Sequence, residues 1–206
     1  MSAMKVKARP GGISFPKWSM PPSRLTKSNI RRSVTEYTRR AETLNLGPIA
    51  AKFGLQLMHA LKREKVRNWP YSKALSWFEG ANRVMTDLVI LHGVRHLFGN
   101  SGQFPFKAYT VKYGNEGATG FDIEAESNGV RLVGEAFNVA DTFFQKKKCA
   151  ALKKLREPAV EADFRIIMVN RDAVPMNYNP MVHDKEFFVL VDVLNGGANT
   201  VSLPRI

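Results

Sequence analysis

The chain changes its hydrophobic rhythm near its middle. Between residues 33 and 97 apolar side chains recur every three or four positions. From 104 to 194 they alternate or run together, so a helical segment precedes a strand-rich one. Ser33-Val34-Thr35-Glu36 has the S-x-x-E form, in which the hydroxyl and the carboxylate each take a backbone N–H of the first turn, and this predicts a helix from about Ser33. Gly47-Pro48 ends that helix and opens a second one reaching about Val66, with Ile49, Phe53, Leu57 and Leu61 turned inward. Ser72 is the predicted cap of a third helix, from about Lys73 to Leu97, with Trp77, Ala81, Val84, Leu88 and Leu91 on its apolar face.

Strands follow. Phe104 to Tyr113 alternates, and Phe121 to Glu126 alternates strictly. Asn128-Gly129 is a two-residue hairpin signal leading into Val130 to Val139. An amphipathic helix from Asp141 to Arg156 stops before Pro158. Phe164 to Val169 is apolar almost throughout, as in a strand covered on both faces, and Glu186 to Leu194 gives a last strand. A meander, a helical crossover and further strands predict an α/β (mixed α+β) fold: a central mixed sheet flanked by helices, preceded by a basic helical segment.

Composition narrows the function classes. The longest apolar run, Phe187 to Val191, is far short of the ~18 residues of a membrane helix, so no membrane partner is expected. Lys5, Lys7 and Arg9 follow Met1 without the apolar stretch of a secretory signal, and the cytoplasm is the expected location. The one cysteine, Cys149, cannot staple the fold or build a thiolate zinc site, and it is expected to be buried as a small hydrophobe. The net charge of +13 sits almost wholly in residues 1–70, which carry 15 Lys and Arg against 3 acids. A basic 1–70 segment, beginning as a Pro/Gly-rich arm, joined to a nearly neutral 71–206 suggests contact with a polyanion, and DNA is the expected partner. Arg31, Arg32, Arg39, Arg40, Lys62, Arg63, Lys65 and Arg67 are the candidate backbone contacts, although a solvated helix end accounts nearly as well for the last four. Trp18, Trp69 and Tyr71 could stack on bases, although aromatics close to proline more often pack.

The chemistry centres on two acids. A tight Asn128-Gly129 turn pairs Ser127 with Val130, and counting back along the ladder sets Asp122 opposite Glu135 on one face. Two adjacent carboxylates repel unless a cation sits between them, and oxygen donors without Cys or His point to Mg²⁺ or Mn²⁺. The alternative is a pair of solvent-facing acids on the polar side of the sheet.

Gly120-Phe121-Asp122-Ile123 and Val133-Gly134-Glu135-Ala136-Phe137, followed by a helix and a buried strand, resemble the PD-(D/E)XK, restriction-endonuclease-like nuclease superfamily. The resemblance runs from about residue 72 to 170. It implies that Asp122, Glu135 and the Ala136 carbonyl hold the metal, and that Glu79 is an extra helical acid for a second ion. It further implies a metal-dependent DNA endonuclease of restriction or repair type, often a homodimer. The family's lysine would fall at Phe137, which has no proton chemistry. Some members recruit a lysine or glutamine from the following helix, which here offers Gln145, Lys146, Lys147 and Lys148. On a helical wheel Lys148 lies within the stripe of Phe144, Ala151, Leu152 and Leu155, while Lys147 and Lys154 lie on one border and Gln145 on the other. Lys148, with Gln145 beside it, is therefore the expected replacement. Two other classes stay open: a nuclease-like fold that only binds nucleic acid, and a phage or plasmid protein that packs DNA with its basic arm.

Overall fold

In the computed structural model, residues 19–44, 47–67, 69–114, 120–181 and 183–201 are described, and they build a seven-stranded mixed sheet flanked by helices. Along the chain come β1 (Arg24–Thr26), α1 (Ile30–Glu42), α2 (Gly47–Ala50), α3 (Gly54–Arg63), β2 (Lys65–Val66), β3 (Leu75–Ser76) and α4 (Trp77–Gly99). Then follow β4 (Ala108–Val111), β5 (Ile123–Ser127), β6 (Val130–Phe137), α5 (Asp141–Leu155), β7 (Phe164–Asn170), a 3₁₀ turn (Arg171–Ala173), β8 (Glu186–Val191) and β9 (Ala198–Val201).

The sheet order is β1-β4-β5-β6-β7-β8-β9, with β2 and β3 forming a separate small ribbon. The meander β4-β5-β6 is antiparallel, β6, β7 and β8 are parallel, and the edge strands β1 and β9 pair antiparallel with their neighbours. Parallel neighbours need a crossover, and α5 supplies it between β6 and β7. The hairpin behaves as its turn residues dictate. Asn128 and Gly129 have φ of 52° and 75°, the two positive angles of a type I′ turn, and Ser127 pairs with Val130.

The pleat sends alternate residues to two cores. Leu132, Ala136, Ile166, Met168, Phe187 and Val189 join Val84, Leu88 and Leu91 of α4 on one side. Val133, Phe137, Ile167, Val169, Phe188 and Leu190 join Phe144, Ala151 and Leu155 of α5 on the other. The α4 helix lies very close to its neighbours, because a Cβ at Gly80 would fall inside the Trp69 indole and one at Gly93 would strike the Met168 sulfur.

The helical segment departs from its sequence pattern in four places. First, α1 starts at Ile30 behind Asn29, so Ser33 is buried inside the helix rather than capping it. Asn29 instead closes the turn from β1, its Oδ1 accepting from the Thr26 N–H at 2.8 Å and its Nδ2 donating to the Arg24 carbonyl at 3.0 Å. Second, the expected 48–66 helix is broken into α2 and α3. Gly54 takes a φ of 54°, a left-handed angle that interrupts the helix, and Phe53 is 80% exposed instead of buried. Third, Ser76 and not Ser72 caps α4, its hydroxyl accepting the Glu79 N–H at 3.1 Å, and Ala81 is exposed. Fourth, β1 lies in what the sequence presents as an extended arm, whose residues 1–18 are outside the described set. Elsewhere Trp69 and Tyr71 are buried, Trp18 lies outside the described residues, and Cys149 is exposed against expectation.

The charge boundary near residue 70 is not a packing boundary. Leu25, Ile30, Val34 and Tyr37 belong to the same core as Ile166 and Val189. Among the described residues no helix is long and apolar enough to cross a membrane.

Candidate active site

The Ile123–Gly134 pair of the β5–β6 ladder, extended by one step, sets Asp122 opposite Glu135. Glu135 has the parity of Val133 and Phe137, and Asp122 that of Glu124, the partner of Val133, so both face the α5 side of the sheet. Here the register counted from the sequence agrees with the structure. The Asp122 Oδ2 accepts the Ala136 backbone N–H at 2.9 Å, which holds the carboxylate against the end of β6.

A lysine from the crossover helix completes the group, and it is Lys154. Its Nζ donates to Glu135 Oε1 at 2.6 Å and to the Gly120 carbonyl at 2.6 Å, and it lies 5.2 Å from the Phe121 ring centroid. Lys148, the expected replacement, is directed elsewhere, with its Nζ 5.6 Å and 5.8 Å from the Phe144 and Tyr178 ring centroids. Gln145 is exposed and does not line the cleft. The physical reason is the placement of α5. Lys147, Ala150, Ala151 and Lys154, spaced by three and four, form the stripe that faces the acids, while Lys148 sits on the flank toward Tyr178.

Burial is the largest influence on both carboxyls and pushes each above its ordinary range. For Asp122 this is opposed by the Ala136 N–H and then by Lys154, Lys112 and Lys147. For Glu135 it is opposed by the Lys154 hydrogen bond and reinforced by the neighbouring Asp122. Two desolvated carboxylates thus share one face with three ammonium groups around them.

The acids open into a cleft of about 320 Å³ at the carboxyl end of β6. Its far wall comes from α4, but not from Glu79. That carboxylate pairs with Arg83 at 2.9 Å, half exposed, and does not line the cleft. Asn82 and Thr86, one and two turns on, do line it. Asn138 ties this wall to the sheet: its side chain donates to Asn82 Oδ1 at 3.1 Å and its N–H to Thr86 Oγ1 at 3.2 Å. At the end of β7 the Asn170 carboxamide accepts the Val139 N–H and donates to the Val139 carbonyl, each at 2.9 Å, which pins the start of the crossover. Among the described residues no three His, Cys, Asp or Glu side chains gather to hold a metal ion.

Sequence reasoning misses a second acid on α4. Asp87 is fully buried. Its Oδ2 accepts the Tyr37 and Tyr71 hydroxyls at 2.7 Å each, and its Oδ1 accepts the Gly114 N–H at 2.8 Å. Burial pushes its carboxyl up to about 6. A signal exists in the chain, since Asp87 lies three residues after Val84 and four before Leu91, inside the apolar stripe.

Of the basic residues, Arg31, Arg32, Arg39, Lys62, Arg63, Lys65 and Arg67 are exposed and Arg40 is half-buried. They lie on α1, at the end of α3 and around β2, and Arg32 approaches Glu36 at 4.0 Å. Comparison with protein-family models, curated proteins and solved structures finds no match to this chain.

Proposed function

We propose that the chain is a metal-dependent DNA endonuclease with a restriction-endonuclease-like core. One observation carries the reading: carboxylates from two adjoining antiparallel strands, on the face covered by the crossover helix, meet a lysine ammonium in an open cleft at the carboxyl end of a parallel strand. The element order α4-β4-β5-β6-α5-β7, with an antiparallel meander and a parallel crossover, supports the same assignment. Ligands of open α/β sheets gather at the carboxyl ends of strands, where this cleft lies.

The donor set fits a hard divalent cation such as Mg²⁺ or Mn²⁺. It consists of oxygen donors, partly withdrawn from water, and the position already attracts the ammonium of Lys154. Asp122, Glu135 and the Ala136 carbonyl would hold the ion. Bound there, it would polarise a phosphodiester oxygen and acidify a water. The remaining steps belong to the chain. The Ala136 N–H keeps Asp122 oriented. Lys154 lies where it can offset charge building on the phosphate oxygens, the role first expected of Lys148. Lys112 and Lys147, which act on Asp122, draw a polyanion toward the cleft. The exposed cations of α1 and α3 supply backbone affinity without reading sequence. Glu79, spent on Arg83, is left out of this arrangement.

The test is plasmid cleavage with Mg²⁺ by the wild-type chain and by Asp122→Ala and Glu135→Ala, with an EDTA arm. Each substitution and the chelator should reduce cleavage by about 10³ or more. Cleavage that survives both substitutions rejects the site. A second reading has its own observation: Phe137, at the family's lysine position, is buried in the α5-side core. If the wild-type chain binds duplex in a salt-sensitive manner and cuts nothing, this is a nucleic-acid-binding protein on a nuclease-like scaffold.

A further inference from the structure

The Lys154–Glu135 pair has a consequence for how the cleft fills. Glu135 is the better covered partner, its side chain 16% exposed against 41% for Lys154. The carboxylate is the more confined of the two, and the ammonium, at the end of a long exposed stem, is the partner a ligand would displace. Two of its three hydrogens already go to Glu135 and the Gly120 carbonyl. A divalent ion on Glu135 would stand within a few ångströms of the Lys154 charge, and like charges at that separation in a partly desolvated site repel strongly. A phosphodiester entering the cleft presents new anionic oxygens to the same ammonium, in a field that Lys112 and Lys147 already make favourable for an anion.

Resting on the reading above, we infer that Lys154 and a divalent cation compete for Glu135, and that the nucleic-acid phosphate relieves the competition by taking the ammonium. Cation and duplex then bind cooperatively. By linkage, the factor by which duplex strengthens cation binding equals the factor by which cation strengthens duplex binding. Lys154 is in this sense a positioning residue whose alternation between two acceptors couples the two ligands.

The experiment uses the full chain, Mn²⁺ and a short fluorescent duplex. Mn²⁺ binding to protein alone is measured by calorimetry for the wild type, Lys154→Met and Lys154→Arg. Methionine keeps the length of the stem and removes the charge, so Lys154→Met should bind Mn²⁺ about tenfold more tightly. Lys154→Arg should remain weak. A lysine that only supports the fold or the cleavage step would not raise cation affinity when removed. In the second arm, anisotropy follows duplex binding as Mn²⁺ is raised. Wild-type affinity should climb about tenfold, and that of Lys154→Met, which keeps only the direct attraction of ion for phosphate, should climb clearly less. Unchanged or weaker Mn²⁺ binding by Lys154→Met, or wild-type duplex affinity indifferent to Mn²⁺, overturns the competition and leaves the nuclease reading standing. Failure of Mn²⁺ to bind either protein overturns both.

Discussion

Two acidic sites involve α4, one built on the helix at Asp87 and one walled by its Asn82 and Thr86, and they use the same side-chain chemistry finished in opposite ways. At Asp87 the carboxylate is sealed from water and takes hydrogen bonds from neutral donors on three separate stretches: Tyr37 on α1, Tyr71 before β3, and Gly114 after β4. At Asp122 and Glu135 the carboxylates keep an open cleft, and their partners are one backbone N–H and a flexible ammonium. Neutral donors fixed by the backbone cannot be exchanged without loss of structure. A long-stemmed cation at a cleft can be traded for a ligand. Burial alone, which raises the carboxyls at both sites, does not separate a sealed acid from one that opens into a cleft. What separates them is whether the partners can leave.

The contrast is broken most directly by removing one acid from each site. Asp87→Ala leaves two tyrosine hydroxyls and a backbone N–H without their acceptor, at about 1–3 kcal/mol apiece before relaxation, and should lower unfolding free energy by about 4 kcal/mol in chemical denaturation. On the proposed nuclease reading, to which every cleavage outcome belongs, cleavage per folded molecule should persist. Asp122→Ala should show the reverse, with stability changed by less than about 1 kcal/mol and cleavage abolished. If the two variants behave alike, the distinction fails.

A pH series sharpens it. Asp87 ionises near 6 when folded against 3.8 in the open chain, so the folded state holds the proton more tightly. The sign of linkage then makes stability from this group full below about 4 and progressively lost as pH rises through about 6, by up to about 3 kcal/mol. Denaturation midpoints of the wild type should fall over that range relative to Asp87→Asn, whose side chain does not titrate. A difference between the two proteins that is flat in pH would show the carboxyl to be unshifted.

Next in size is a pair of lysines six residues apart. Lys154→Met should slow cleavage about 100-fold, whereas Lys148→Met, removed from the acids and resting on Phe144 and Tyr178, should leave the rate within about twofold and cost under 1 kcal/mol. The smallest expected effect is at the surface. Replacing Arg31 and Arg39 by Ala should reduce the slope of log affinity against log salt by about 0.9 for each phosphate that is no longer neutralised, with no change in sequence preference.

These contrasts also mark what the sequence made legible. The opposition of Asp122 and Glu135 could be counted from Asn128-Gly129, because a two-residue turn leaves the ladder one register and the pleat then decides the face. The crossover and the doubly covered β7 followed from the switch of period and the unbroken apolar run. Lys154 could not be chosen in the same way. The wheel locates the apolar stripe of α5 and puts Lys147 and Lys154 on its border, but which border meets the acids depends on where the helix lies over the sheet, a long-range fact absent from any local pattern. Glu79 failed for a related reason: a position on α4 was matched by type, while Arg83 four residues later was available to claim it. In the helical part, local signals competed. Ser33 has the right neighbours for a cap, yet Asn29 is tied to β1 and the helix begins there.

The close approach of α4 at Gly80 and Gly93 brackets the stretch of helix that serves both acidic sites. Between those two pinch points lie Asn82 and Thr86, which wall the cleft, and Asp87, which gathers the tyrosines. A methyl group added at Gly80 would meet the rigid Trp69 ring and push that end of the helix off it, whereas one at Gly93 would press on the flexible Met168 side chain. One wall of the cleft and the sealed carboxylate thus ride on the same stretch of helix, while the cleft's own acids stay on the sheet.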